Sequence, residues 1–238
     1  MKNLFIVVVI ALLIFIVVFL LPLKEIKSFL DFKLFPSGAK LRYFKKLVNK
    51  KNQTVYLLGT AHYMHIANKD YSFWHIKAVI KSLSPDLLLV EIRDSALSKG
   101  RWGEGPIEMP FAALVAKNNK IIVHGMDDWS DQFTIRENNM VKNSLDKIDV
   151  SKKTLILTGF SHISGFLKRF EKSGFQEQHF SSKNKKSIFK KTVNKKFPLK
   201  LSEELNKMIH LVKEGQTRYN DNWAKKRKLF IKLINKLD

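Results

Sequence analysis

The sequence predicts an α/β fold: a central, mostly parallel sheet with flanking helices, preceded by an N-terminal transmembrane helix. Three observations carry that expectation. Leu4 to Leu21 is an uninterrupted apolar stretch of 18 residues, near the length a membrane span requires. Beyond it, short apolar runs bounded by turn residues alternate with stretches of helical spacing, the strand-helix-strand order that builds parallel pairs through right-handed crossovers. Two of those runs also end alike, Val55-Tyr56-Leu57-Leu58-Gly59-Thr60-Ala61-His62 and Thr154-Leu155-Ile156-Leu157-Thr158-Gly159-Phe160-Ser161-His162. In each an imidazole leaves the carboxyl end of a strand, where α/β proteins place their chemistry.

Taken in order, the apolar stretch reads as an uncleaved anchor. Leu21-Pro22-Leu23-Lys24 is no processing site, and Ser37-Gly38-Ala39 lies too far downstream. Lys2 precedes the span while Lys24, Lys27, Lys33 and Lys40 follow it, which favours a cytoplasmic domain without settling the side. The chain has no cysteine, which fits either compartment and excludes thiol catalysis and thiolate metal sites. Three regions result: 1–32, the anchor and a juxtamembrane helix; 33–182, the α/β domain; 183–238, a Lys-rich segment and C-terminal helices.

Within the domain, Leu41 to Val48 and Thr54 to Leu58 read as strands joined by the polar turn Asn49-Lys50-Lys51-Asn52. Phe73, Ile76, Val79, Ile80 and Leu83 keep helical spacing over Tyr71 to Leu83, and Ser84-Pro85-Asp86 ends that helix. A third buried run, Leu87-Leu88-Leu89-Val90, closes on Glu91. Arg93 to Pro106 reads as a loop of a length suited to a substrate-facing lid. A helix over Phe111 to Lys117 and a strand at Ile121 to Val123 follow, the strand ending in His124 with Asp127 and Asp128 beyond. Thr134-Ile135-Arg136-Glu137 has the form of a capping box opening a helix through Ile148. After the second Gly-x-x-His strand, Ser161 is placed to begin a helix over Ile163 to Phe170. Lys183 to Lys200 holds eight lysines, no acid and no helical period, and reads as a loop or tail. Helices are expected from Ser202 to Gly215 and from Thr217 to Leu237.

His62, Glu91 and His162, each closing a strand, make a facial set of two imidazoles and a carboxylate able to hold a divalent metal (Mn, Co or Zn). Such an ion brings a bound water toward neutral pKa and polarises a carbonyl, the two acts of amide or ester hydrolysis. Gly59 and Gly159 let the backbone turn and let an ion or substrate approach. Arg136 is placed to stabilise developing negative charge and Asn138 to orient a ligand or water; first-turn exposure on their helix accounts for either equally well. His65 and His124 are secondary candidate ligands, and Asp127 and Asp128 could hold a ligand histidine from behind. His75, His179 and His210 sit in ordinary contexts.

The segments Leu57 to His62, Pro85 to Glu91, Arg136-Glu137-Asn138-Asn139-Met140 and Leu157 to His162 resemble, in order, the pattern of the TraB/GumN/TIKI proteins, part of a wider set with the ChaN haem-binding lipoproteins and the erythromycin esterases. The likeness covers about residues 41 to 175. It implies an α/β fold with a metal site at His62, Glu91 and His162, and a polar helix motif at Arg136 and Asn138. TIKI members are membrane-tethered manganese- or cobalt-dependent proteases; many bacterial TraB and GumN members have no established reaction. This chain is shorter between Glu91 and Arg136 than many members.

The leading expectation is thus a membrane-anchored metal-dependent hydrolase of peptide bonds or of a small-molecule substrate. The same pocket could instead hold haem or a short peptide without catalysis. The net charge of +22 suggests a third class, a basic adaptor for anionic lipid or nucleic acid. Charge is uneven, with 24 basic and 9 acidic residues in 141–238 against 6 and 9 in 84–140, so the zone facing a metal is acidic. Nucleic acid is the less favoured partner, because the aromatic-and-Gly signatures of RNA modules and helix-turn-helix spacing are missing. Anionic lipid suits a chain already tethered to a membrane.

Overall fold

The computed structural model describes residues 39–62, 65, 70–99 and 105–190. Leu4 to Leu21 and the expected helices after Lys200 lie outside them. Among the described residues no helix is long and apolar enough to cross a membrane. The sheet lies wholly in the unit that begins at Lys40.

The elements run α1 (Ala39–Arg42), β1 (Phe44–Asn49), β2 (Thr54–Thr60), α2 (Phe73–Leu83), β3 (Leu87–Val90), α3 (Asp94–Ser98), α4 (Glu108–Asn118), β4 (Ile122–Gly125), α5 (Phe133–Ile148), β5 (Lys153–Gly159), a 3₁₀ turn (Phe160–His162), α6 (Ile163–Lys172), β6 (Phe175–Glu177) and α7 (Ser182–Lys190). They form an α/β fold around one mixed six-stranded sheet in the order β4-β3-β5-β2-β1-β6. β4, β3, β5 and β2 are parallel; β1 runs antiparallel to both β2 and β6. After β2 the chain passes over one strand position to lay down β3 and β4, then returns with β5 to fill the gap. That reversal of strand order is where open α/β sheets form a crevice beyond the strand ends.

β5 is buried from Thr154 to Gly159, as expected for a central strand covered on both faces, and its sequence is accordingly apolar without alternation. On one face Val55, Leu57, Leu87, Leu89 and Ile156 pack under Met140, Val141 and Ile148 of α5 and Ile163, Phe166 and Phe170 of α6. The alternate residues, among them Leu58, Leu88, Leu155 and Leu157, are equally buried on the other face. There α2 packs on α4 and α7.

Several local expectations change. Leu41 and Arg42 belong to α1, and β1 starts at Phe44. The stretch read as a continuous loop after Glu91 contains α3. α5 begins at Phe133 behind Gln132, without a side-chain cap, because Glu137 is drawn to His162 and Arg169 and cannot close the box. Ser161 lies inside the 3₁₀ turn, ahead of α6. Part of the Lys-rich stretch is helical: α7 forms because Phe189 docks against Phe44 and Tyr71, Ser82 Oγ donates to Ile188 O and Lys185 Nζ to Leu41 O. No local period announces such tertiary contacts.

Candidate active site

The ends of β2, β5 and β3 are contiguous at the switch point, so His162 stands beside Glu91 and His62 comes to the same strand end at Gly159, despite their separation in sequence. Glu91, 2 % exposed, is the centre. Its Oε2 accepts from Thr158 Oγ1 at 2.9 Å and from the Gly159 N–H at 2.7 Å, while Oε1 accepts from Arg136 Nη2 at 2.8 Å. His162 Nε2 stands 3.9 Å from the same Oε1.

Each histidine is held from behind by a carboxylate. His62 Nδ1 lies 3.0 Å from Glu108 Oε1, and His162 Nδ1 lies 3.1 Å from Glu137 Oε1. A carboxylate on Nδ1 fixes a ring's orientation and enriches its Nε2, the usual backing of a metal-binding or proton-transferring imidazole. Phe133 stacks on the His162 ring at 4.5 Å and 14°. His62 reaches its place through a left-handed backbone, φ 52°, a conformation rare for a residue with a side chain and common at functional sites.

Gly159 sits between the two rings. A Cβ there would crowd His62 Nε2 and Cε1 at 3.1 Å and make ordinary contact with His162 Cδ2 at 3.6 Å, so the missing side chain is what lets His62 come close to the His162 side of the strand end. The backbone of Gly159 is ordinary, φ −54°, and its role is space rather than a sharp turn. Gly59 serves packing instead: a Cβ there would press on Tyr43 Cβ at 2.8 Å and Ile163 Cγ1 at 2.9 Å.

The electrostatics follow from these contacts. Burial by itself would lower the His62 pKa, but the charge and hydrogen bond of Glu108, with Glu91 beyond, outweigh both burial and Arg136 and hold it above the ordinary 6.5. Burial would raise Glu108, yet His62, His65 and the Thr60 hydroxyl hold it at about 2. Glu108 is fully buried, and its Oε2 has no hydrogen-bond partner. Arg136 is spent within the protein: Nε and Nη2 grip Asp127 at 2.9 and 2.7 Å, Nη2 also holds Glu91, and Trp129 lies 4.7 Å under the guanidinium.

The other sequence candidates fall outside this cluster. Asn138 Oδ1 accepts from Arg169 Nε at 2.6 Å, and Arg169 Nη1 in turn donates to Glu137; Asn138 therefore connects to His162 only through two intermediaries. His65 Nε2 accepts from the Ala61 N–H at 2.8 Å, so its proton is on Nδ1, donated to Tyr71 O at 2.7 Å; burial pushes its pKa down, and the ring serves as a strut. His124 Nδ1 faces Asp94 Oδ1 at 3.2 Å, and Asp94 is shared with Lys147 and the Gly125 N–H. His75 accepts from the Ser72 N–H at the start of α2. Asp127 braces Arg136 rather than a histidine, and Asp128 accepts from Asn143 Nδ2 at 2.8 Å.

Sequence reasoning missed Glu108, whose only signal is an acidic residue in the first turn of an apolar helix, and missed the partnership of Glu137 with His162. Phe133 and Trp129 carried no signal.

Two imidazoles and a carboxylate suit manganese, cobalt or zinc in kind. The His162 Nε2 to Glu91 Oε1 separation of 3.9 Å exceeds the roughly 3.4 Å that metal–ligand bonds of about 2.1 Å set across a tetrahedral ion, so the pair must close slightly. As placed, no three His, Asp or Glu side chains among the described residues form a coordinating group. A carboxylate has about four lone-pair positions, and the three donors on Glu91 leave room for one ligand bond.

No family model matches the chain, and no curated protein or solved structure matches it either. Fold and site together define an α/β protein with a His–Glu–Arg cluster around a buried glutamate at the carboxyl edge of its sheet.

Proposed function

We propose that this chain is a membrane-anchored, metal-dependent hydrolase, acting on peptide bonds, of the TraB/GumN/TIKI kind. The observation that carries the reading is the pair of imidazoles, each with Nδ1 on a buried glutamate and both converging at Gly159 beside Glu91. A bound divalent ion would supply an activated water and a polarised carbonyl. His62, His162 and Glu91 would hold it. Glu108 and Glu137 keep the two rings in register, Thr158 and the Gly159 N–H fix the Glu91 plane, and Gly159 keeps the approach between the rings open.

Leu4 to Leu21 is proposed as the anchor, with the basic C-terminal region turned toward anionic lipid, where each lysine contributes about 1 kcal/mol. N-terminal sequencing of the mature protein decides the first point: a chain starting near Lys40 would make the segment a signal peptide.

The test of activity is metal analysis of the purified full-length protein, followed by a peptide-library cleavage screen with manganese, cobalt and zinc supplied separately. Metal near one equivalent and cleavage that both disappear in His62→Ala and His162→Ala are the expected result. A second reading, a non-catalytic binder of haem or a short peptide, is favoured by Arg136: Nε and Nη2 are committed to Asp127 and Glu91, which leaves Nη1 alone to meet a developing oxyanion. Ligand binding without turnover at any metal would select it.

A further inference from the structure

Arg136 occupies an unusual position for a residue beside a candidate metal ligand. Its Nη2 donates at once to Glu91 Oε1 at 2.8 Å and to Asp127 Oδ2 at 2.7 Å. The guanidinium is a cation already paired with the carboxylate a divalent ion needs, and at that distance it opposes a second cation. A guanidinium this far covered could not simply be expelled, because a charge withdrawn from water is costly to leave without a partner. Here it need not be. Nε and Nη2 both reach Asp127, itself 4 % exposed, and Trp129 supports the plane from outside, so Arg136 can give up Glu91 and keep its two-point pair with Asp127.

We propose that Arg136 is a movable lock on Glu91, with Asp127 as the rest that lets it release, so that metal affinity is set by competition between these two carboxylates for one guanidinium. This rests on the metal-centre reading above and adds to it a device for controlling occupancy. Asp127 is then a positioning residue, acting on Glu91 only through Arg136. The lock makes a prediction of sign that mere support of the fold does not. Removing the guanidinium frees Glu91 and tightens metal binding. Removing the charge of Asp127 leaves Arg136 no better partner than Glu91 and weakens it.

The experiment is calorimetric titration of manganese(II), cobalt(II) and zinc(II), each alone, into chelator-stripped full-length protein: the parent, Arg136→Gln, Asp127→Asn and the double variant, with thermal unfolding recorded for each. The expected result is affinity about tenfold tighter in Arg136→Gln and about tenfold weaker in Asp127→Asn, the scale typical of residues just behind a metal ligand. The double variant, lacking the guanidinium, should bind at least as tightly as the parent. Should Arg136→Gln fail to fold, Arg136→Met carries the comparison: it removes the charge and every donor at similar side-chain length, and is also expected to bind more tightly than the parent. Weaker binding in both single variants, or unchanged binding in Arg136→Gln, overturns the lock and leaves the metal centre standing. Binding by Arg136→Gln but not by the parent supports a lock that is closed at rest. Binding by none of the folded proteins removes the metal centre and the lock together.

Discussion

His62 and His162 close neighbouring strands and each turns Nδ1 to a buried glutamate, yet the two pairs are electrostatically unlike. Glu137 is shared with Arg169, so its charge is already answered, and His162 is 5 % exposed in its side chain under Phe133. Among the described residues Glu108 bonds no cationic side chain but His62 and keeps one oxygen unpartnered, and it holds an imidazole whose side chain is 44 % exposed. They also lie on opposite sides of the sheet: Glu137 comes from α5, above Leu57 and Ile156, and Glu108 from α4, reached by Thr60 on the alternate face. One motif, repeated, thus yields one buried imidazole backed by a carboxylate that an arginine shares and one half-exposed imidazole backed by a carboxylate with an unpartnered oxygen.

The strongest way to break the comparison is to remove what the two stations share. Glu91→Ala takes the acceptor from Thr158 Oγ1 and the Gly159 N–H in a buried site, while Arg136 keeps Asp127, and is expected to cost about 1–3 kcal/mol for each of the two stranded donors in urea unfolding. Next in size is the contrast between the histidines. His162→Ala empties a buried, stacked position but leaves Glu137 its Arg169 and should cost about 2–3 kcal/mol, whereas His62→Ala leaves the fully buried Glu108 without its main partner and should cost about 3–5 kcal/mol, both by the same assay. Equal losses would erase the asymmetry.

A smaller effect is the pH dependence of the His62–Glu108 pair. Glu108, depressed from 4.5 to about 2, adds stability that is present above pH 4.5 and lost as pH falls toward 2. His62, raised above 6.5, adds stability that is present below 6.5 and lost as pH rises through its folded value. The pair therefore contributes most between these limits, and Glu108→Gln should flatten both limbs of a plot of unfolding midpoint against pH. A pH profile left unchanged by that variant would deny the coupling. The least effect belongs to Asn138→Ala, at the far end of the Arg169 relay, where thermal unfolding should move by no more than about 0.5 kcal/mol.

Much of the site was legible because strand ends and glycines leave strong local marks. An apolar run followed by Gly-x-x-His places an imidazole past a strand regardless of what else the chain does, and the run before Glu91 does the same for its carboxylate. The glutamates behind the histidines were not legible, since Glu108 and Glu137 stand on helices whose facing partners are 46 and 25 residues away. Helix starts misread for a related reason: Glu137 looks like the closing residue of a capping box, but a histidine and an arginine from another helix compete for it and win. α7 shows the same preference for distant contacts, with Phe189 ordering a stretch whose lysines argue for a tail.

By itself, then, the sequence determined which residue types stand at which strand ends, and with them the alternation of strands and helices, because burial periodicity is a property of neighbours along the chain. Only the tertiary structure decided that β5 slips between β3 and β2, that His62 and His162 meet across Gly159, and that Arg136 divides itself between Glu91 and Asp127. Strand order and the sharing of buried charges are set by how whole elements pack and by which ion pairs survive desolvation, and those energies belong to no single segment of the chain.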